Sequence, residues 1–384
     1  MAADTERDPR PATGAGAGHA TVAGSTRKAD TGGKTHVSTS RPLSATRRSA
    51  TPSEVVAERY EVRGVAGEGG MGEVLVVRDR TLERDIALKR MLGDDRSDER
   101  VRRFLNEARV TGRLEHPGIV PVHDVTPHEG HPFFTMKLVK GSSLGQILAR
   151  LRAQEGKITE EYDLRRLTGV LTSICQAMAF AHSRGVLHRD LKPDNIMLGD
   201  FGEVLVMDWG LARVGSIAGE RSNAPVAAAA ASAGPGDSVD ELAAAGNRGL
   251  SAGQGTMEGS IAGTPGYMAP EQARGEISKL SERTDVYALG AILYECLTLC
   301  PPHQKETSLL TLQAVLTEPV VPPSRRTPSR TIPRDLEAVA MKALAPEGTR
   351  RYSSVNAFRA DLEAWLSDRP VSARHSTPVE KTMR

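Results

Sequence analysis

The sequence predicts an α+β protein in two lobes, a small β-rich N-lobe holding one key helix and a larger helical C-lobe. Three observations lead there. Alternating β-branched and charged residues fill the first ordered stretch, apolar residues stepping by three and four fill the second, and low-complexity segments flank or interrupt them. Strands followed by helices, rather than strict alternation of the two, are the pattern of α+β folds.

Taken in order, residues 1–56 read as a disordered tail. Up to about residue 52 they are Ala, Gly, Ser, Thr and Arg with few large apolar side chains, too few to offset conformational entropy. An ordered domain is expected over 57–368, with the N-lobe at 57–139 and the C-lobe at 140–368. Its strands are RYEVRGVAG, GEVLVVRDR, RDIALKRML, IVPVHDV and HPFFTMKLV, with one helix from about Ser97 to Gly112 opened by SDER. Between Thr159 and Arg184, Leu164, Leu167, Leu171, Ile174, Met178 and Ala181 mark one buried helical face. Residues 215–258, with APVAAAAASAGPG and AAAGNRGLSAGQG, read as a mobile insertion, and 369–384 as a short C-terminal tail.

Composition excludes several classes. A formal net charge of +2 calls for no nucleic acid or acidic lipid as partner. Three cysteines (Cys175, Cys296 and Cys300) without CxxC spacing are neither a disulfide framework nor a metal site. The N-terminus lacks the apolar core of a signal peptide. The best apolar run, the 15 residues VYALGAILYECLTLC from Val286, is too short for a bilayer and carries Glu295, so a buried helix is expected. The reading is of a soluble cytoplasmic protein without a membrane span.

Four motifs carry chemistry. GEGGMGEV places Gly67, Gly69 and Gly72 in a GxGxxG string that runs into the strand VLVVRDR. A dinucleotide fold needs a helix there, so a nicotinamide enzyme is set aside, and the glycines belong at a hairpin tip where bare backbone can lie over phosphates. In IALKR, Ala87 and Lys89 share one face of a strand, with Glu107 of RFLNEAR as the candidate partner of Lys89. HRDLKPDN, residues 188–195, crowds a carboxylate, a cation and an amide into one loop. Phosphoryl transfer needs that inventory: one group to orient and deprotonate a hydroxyl, one to neutralise the moving phosphoryl, one to help hold a metal. In VMDWG, Asp208 closes a strand-like run, which suits either a metal ligand or an ordinary turn.

Together with GTPGYMAPE and TDVYALG, these strings stand in the order of the eukaryotic-type (Hanks-type) serine/threonine protein kinases, and the chain most resembles those of bacteria over roughly residues 59–368. The resemblance implies a two-lobed protein kinase fold and transfer of the ATP γ-phosphoryl group to protein Ser or Thr hydroxyls. Ala66, Gly67, Glu68, Gly69, Gly70, Met71, Gly72 and Val74 would cover the nucleotide. Lys89, paired with Glu107, would bind its phosphates, and Ala87, Lys137 and Val139 would face the adenine beside the gatekeeper Met136. Asp190 would be the base, Lys192 would contact the γ-phosphate, and Asn195 and Asp208 would hold Mg2+, or Mn2+ in its place. Thr264 would help position the acceptor hydroxyl. Glu271 would pair with Arg351, and Asp285 would brace the catalytic loop. The implied partners are protein substrates and a second copy of the chain for activation in trans.

Two departures stand out. Trp209 replaces the usual Phe, keeping the apolar body and adding an indole N–H. The span from Asp208 to Glu271 is about 60 residues, longer than is usual in the family. Arg189 would bind a phosphate on that span, with Thr256 and Ser260 as the expected phosphosites. The rival reading is a pseudokinase that binds nucleotide or a partner without transfer. Lys89, Asp190, Asn195 and Asp208 are all present and argue against it.

Overall fold

The computed structural model describes residues 55–69, 72–92, 98–128, 131–214 and 264–374. Gly70, Met71, Thr256, Ser260 and the low-complexity insertion lie outside them, as does the N-terminal tail up to residue 54. Described structure is present from residue 55 and runs to residue 374, on either side of the expected 57–368. Val55–Val56 already form a strand, because Val56 is buried and the pair aligns with Tyr60 and Glu61. At the other end Val371 is buried, and the Asp361 carboxylate accepts the backbone N–H groups of Ser372 and Ala373. Hydrogen bonding rather than apolar periodicity holds this stretch, which is why its sequence reads as a tail.

The N-lobe is one antiparallel sheet of β1 (Val55–Val56), β2 (Tyr60–Gly69), β3 (Gly72–Asp79), β4 (Arg84–Arg90), β5 (Val122–His128) and β6 (His131–Met136), in the order β1-β2-β3-β4-β6-β5. Helix α1 (Asp98–Arg113) lies against β5 and β6. Strand alternation divides the apolar residues between two clusters. Leu75, Val77, Ile86 and Leu88 pack on one side, while Ala87, Phe134 and Met136 pack with Phe104 and Ala108 of α1 on the other. Phe104 and Phe134, with ring centroids 5.1 Å apart, anchor α1 to the sheet, and burying each such ring contributes about 1.5–3 kcal/mol.

In the C-lobe, β7 (Gly141–Ser143), β9 (Ile196–Gly199) and β10 (Val204–Val206) make a three-stranded sheet, and β8 (Val186–Leu187) pairs with β11 (Arg213–Val214). The helices are α2 (Leu144–Arg152), α3 (Ile158–Glu161), α4 (Leu164–Ser183), α5 (Pro270–Ala273), α6 (Glu282–Thr298), α7 (Ser308–Thr317), α8 (Pro323–Arg326), α9 (Arg334–Ala343) and α10 (Val355–Leu366). The periodic stretch from Thr159 breaks between α3 and α4, where the Asp163 side chain caps α4 by accepting the Arg166 N–H. Helix α6 is the predicted apolar helix and is buried from Thr284 to Thr298. Gly290 lets α9 approach closely, since a Cβ there would stand 2.6 Å from the Ala343 Cβ. No described helix is long and apolar enough to cross a membrane.

Candidate active site

The N-lobe half of the site begins at the β2–β3 hairpin. Ala66 to Gly69 end β2 and Gly72 opens β3. A Cβ on Gly72 would lie 2.1 Å from the Arg90 carbonyl oxygen, so the crossing with β4 requires glycine. Val74, Ala87, Met136, Leu138 and Met207 belong to one apolar cluster, a surface suited to a flat ring. Beside it lie the hinge residues Lys137 to Val139. Lys137 also reaches across to the C-lobe, with Nζ 3.4 Å from Glu203 Oε1.

Lys89 Nζ donates to Glu107 Oε1 at 2.5 Å, joining β4 to α1. The two side chains are 13% and 4% exposed. Lys89 Nζ also stands 3.9 Å from Asp208 Oδ1, linking the lobes. Burial disfavours the ammonium, but the carboxylates of Glu107 and Asp208 more than offset it and hold Lys89 above the usual lysine range. Burial pushes the Glu107 carboxyl up against the pull of Lys89.

The C-lobe half is the loop between β8 and β9. Its brace is Asp285, near the start of α6, whose carboxylate accepts the backbone N–H groups of His188 and Arg189 at 3.0 Å each. His182 Nε2 lies 2.7 Å from the same carboxylate. These contacts support Arg189 at φ +68°, a conformation costly for a side chain with a Cβ. Gln272 of α5 adds a hydrogen bond to the Arg189 carbonyl at 2.6 Å. Burial opposes ionisation of Asp285, yet His182 and the loop N–H donors keep its pKa below the ordinary carboxylate value.

Within the braced loop, Lys192 Nζ lies 3.2 Å from Asp190 Oδ2 and 3.2 Å from Thr264 Oγ1. Asn195 donates its amide N–H to the Asp190 carbonyl at 2.8 Å, which leaves its Oδ1 for another partner. The Met207 N–H donates to the Asn195 carbonyl at 2.8 Å, so Asn195 and Asp208 are tied through backbone. Asp208 sits at φ +60° with its side chain 46% exposed. Partial loss of hydration raises its carboxyl, but Lys89 and Lys192 lower it further and the net shift is downward. Trp209 is fully buried, its ring 4.7 Å from His188, in the cluster that holds Val110 of α1 and Leu114 just after it. Its Nε1 has no hydrogen-bond partner among the described residues.

The structure therefore brings Lys89, Glu107 and Asp208 together and Asp190, Lys192, Asn195 and Thr264 together, the two groups joined where the Met207 N–H meets the Asn195 carbonyl. Glu271 receives both terminal nitrogens of Arg351, at 2.7 and 2.8 Å, as the expected structural pair. The sequence reading missed His182, Gln272 and Met207. His182 and Asp285 are 103 residues apart, and no spacing rule links them.

Known proteins extend this picture. The protein kinase domain family matches residues 60–229. The serine/threonine-protein kinase PknD of Chlamydia trachomatis serovar L2b is 38% identical over 318 residues, 82% of this chain and 32% of that protein. The proteins of the same name from Chlamydia muridarum and Chlamydia caviae are each 36% identical, over 80% and 82% of this chain. The chain thus spans about a third of the length of these curated relatives. With both lobes and the motif order in place, the chain carries a protein kinase domain and is similar to the serine/threonine protein kinases of bacteria.

Proposed function

We propose that the protein transfers the γ-phosphoryl group of ATP to Ser and Thr hydroxyls of proteins. The observation that carries this reading is the convergence of the Asp190 carboxylate, the Lys192 ammonium and the Thr264 hydroxyl, with Lys192 Nζ 3.2 Å from each of the other two. An acceptor hydroxyl beside Asp190 gives up its proton to that carboxylate as its oxygen bonds to the γ-phosphorus and the bond to ADP breaks. Lys192 and Lys89 offset negative charge on the phosphoryl oxygens in a site held ready before the reaction.

The donor set suits a hard divalent cation. Asn195 Oδ1 and the Asp208 carboxylate are two oxygen donors, and no cluster of three His, Cys, Asp or Glu exists among the described residues. Mg2+ binds through few protein oxygens, completing its shell with phosphates and water, and Mn2+ accepts the same donors. When bound, such an ion neutralises charge on the nucleotide phosphates. Beside Asn195 and Asp208, Ala66 to Val74 belong to the nucleotide cover and Ala87, Lys137 and Val139 to the adenine wall. Thr256 and Ser260 are proposed as autophosphorylation sites reached in trans by a second copy, and the requirement for ATP favours a cytoplasmic site of action.

The test uses dephosphorylated casein as acceptor with ATP and Mg2+. Phosphoserine and phosphothreonine should form with the parent protein, and Lys89→Met should lower the rate at least a hundredfold. A protein that is stabilised thermally by ATP but labels no acceptor would instead be a pseudokinase.

A further inference from the structure

Glu73 follows directly on Gly72, and Arg90 follows directly on Lys89. The register pairs Glu73 with Arg90 at the start of β3, and Val74 with Lys89 one position on. Successive positions of a strand face opposite sides of the sheet. Val74 and Ala87 lie in the apolar cluster on the cleft side, whereas Leu75 and Leu88, each two positions from Glu73 or Arg90, lie in the cluster on the other side. Glu73 and Arg90 therefore meet behind the sheet from Lys89. Arg90 Nε donates to Glu73 Oε1 at 2.7 Å, and the two side chains are 30% and 11% exposed.

Two features tie this pair to the glycine hairpin. The hairpin backbone lies against the end of β4, since a Cβ on Gly72 would stand 2.1 Å from the Arg90 carbonyl oxygen and 3.3 Å from the Met91 Cα. The register also sets Glu68 of β2 opposite Glu73. Across three strands the row then reads Glu68, Glu73, Arg90, two acids and one base. Like charges at directly opposed positions destabilise an antiparallel pair, and Arg90 supplies the cation that offsets them.

We infer that Arg90 and Glu73 are positioning residues for the nucleotide phosphates, holding the glycine hairpin against β4 from the side opposite Lys89. Lys89 has its own partner in Glu107, so loss of the rear pair loosens the hairpin and leaves the lysine in place. Ala87, Met136 and Leu138 keep their apolar packing as well. The consequence is selective. A ligand whose phosphates lie under the hairpin loses affinity, and one with only a purine and a ribose does not. This inference rests on the proposed kinase activity, which makes the hairpin a nucleotide cover.

The test is titration calorimetry of ATP with Mg2+, and separately of adenosine, against the parent, Arg90→Met, Glu73→Gln and the exchange of Glu73→Arg with Arg90→Glu. The expected result is a rise of about three- to tenfold in Kd for ATP in each single variant, the scale of a partly exposed charge-assisted hydrogen bond, with Kd for adenosine unchanged. The exchange should recover part of the lost ATP affinity, because the row then reads acid, base, acid. In steady-state assays of the single variants, KM for ATP should rise while KM for casein stays the same. Should Arg90→Met fail to fold, Glu73→Gln decides, since it keeps the shape of the side chain and removes its charge. A parent protein that binds no ATP defeats the kinase reading and this inference with it. A parent that does bind ATP, with single variants whose ATP affinity is unchanged or whose adenosine affinity falls in parallel, overturns this inference alone.

Discussion

On the N-lobe side of the cleft, Lys89 depends on one short contact to Glu107 and a long one to Asp208, at 2.5 and 3.9 Å. On the C-lobe side, Asp285 alone receives two backbone N–H groups and sits 2.7 Å from an imidazole nitrogen. Farther out, Glu271 and Arg351 share two hydrogen bonds, and Arg351 makes three more to carbonyl oxygens. The helix bearing Glu107 packs on the sheet through apolar side chains such as Phe104. The loop bearing Asp190 is held by directional bonds to α6, which is buried from Thr284 to Thr298. Apolar contacts tolerate sliding, whereas a carboxylate that accepts several fixed donors does not. Asp190, Lys192 and Asn195 are therefore set in advance by the braced loop, while Lys89 is placed by a pair that a helix shift can break.

The largest expected effect comes from the fixed half. Asp190→Asn should lower transfer about 10²- to 10⁴-fold with ATP binding retained, as rate assays and nucleotide titration would show; a loss of ATP binding would mean that the two halves are not separate. Next, Arg351→Met leaves Glu271 buried without its cation, which costs about 3–5 kcal/mol. Thermal unfolding should show a drop in Tm of several degrees, and an unchanged Tm would remove the claim that this half is rigidly built. Third, Glu107→Gln exchanges the charged partner of Lys89 for a neutral amide. Turnover should fall roughly 10- to 100-fold, the scale of a hydrogen bond between charged groups, while Tm changes little. A large drop in Tm would show that the pair stabilises the fold rather than placing the lysine.

The smallest effect concerns pH, at the outer edge of the N-lobe. Asp79 accepts both a guanidinium fork from Arg59 and the N–H groups of Thr81 and Leu82. The Arg59 hydrogen bond, with the backbone N–H groups, holds its carboxyl down to about 2. A depressed folded pKa gives stability that is complete above the unfolded value of about 3.9 and is lost as pH falls toward 2. Asp79→Asn should flatten the stability profile between about pH 4 and 2, measured by denaturant unfolding; an unaltered slope would show that Asp79 contributes nothing there.

What the sequence made legible follows the same division. Asp190, Lys192 and Asn195 fall within one eight-residue string, and Gly67 to Val74 within another, so their chemistry reads directly. Lys89 with Glu107 was readable as a pair only because a strand and a helix adjoin in sequence. The contacts from Asp285 to His182, and from Glu295 to Arg152 and Tyr267, join residues far apart in sequence whose approach depends on how α2, α4 and α6 pack. Contacts at the C-terminal end are hard to read locally for the same reason. Val371 to Arg374 look like a polar tail, but Asp361 and Asp335 on two C-lobe helices hold them, the latter by an ion pair with Arg374 at 2.9 Å.

The central claim, an active transferase with Asp190 as its base, is tested most directly by intact mass. Phosphatase-treated protein is incubated with ATP and Mg2+ in the presence of casein, beside the Asp190→Asn variant. The account predicts added phosphate units on the parent chain or on casein in the parent reaction alone. Equal labelling in both reactions, or none in either, would contradict it.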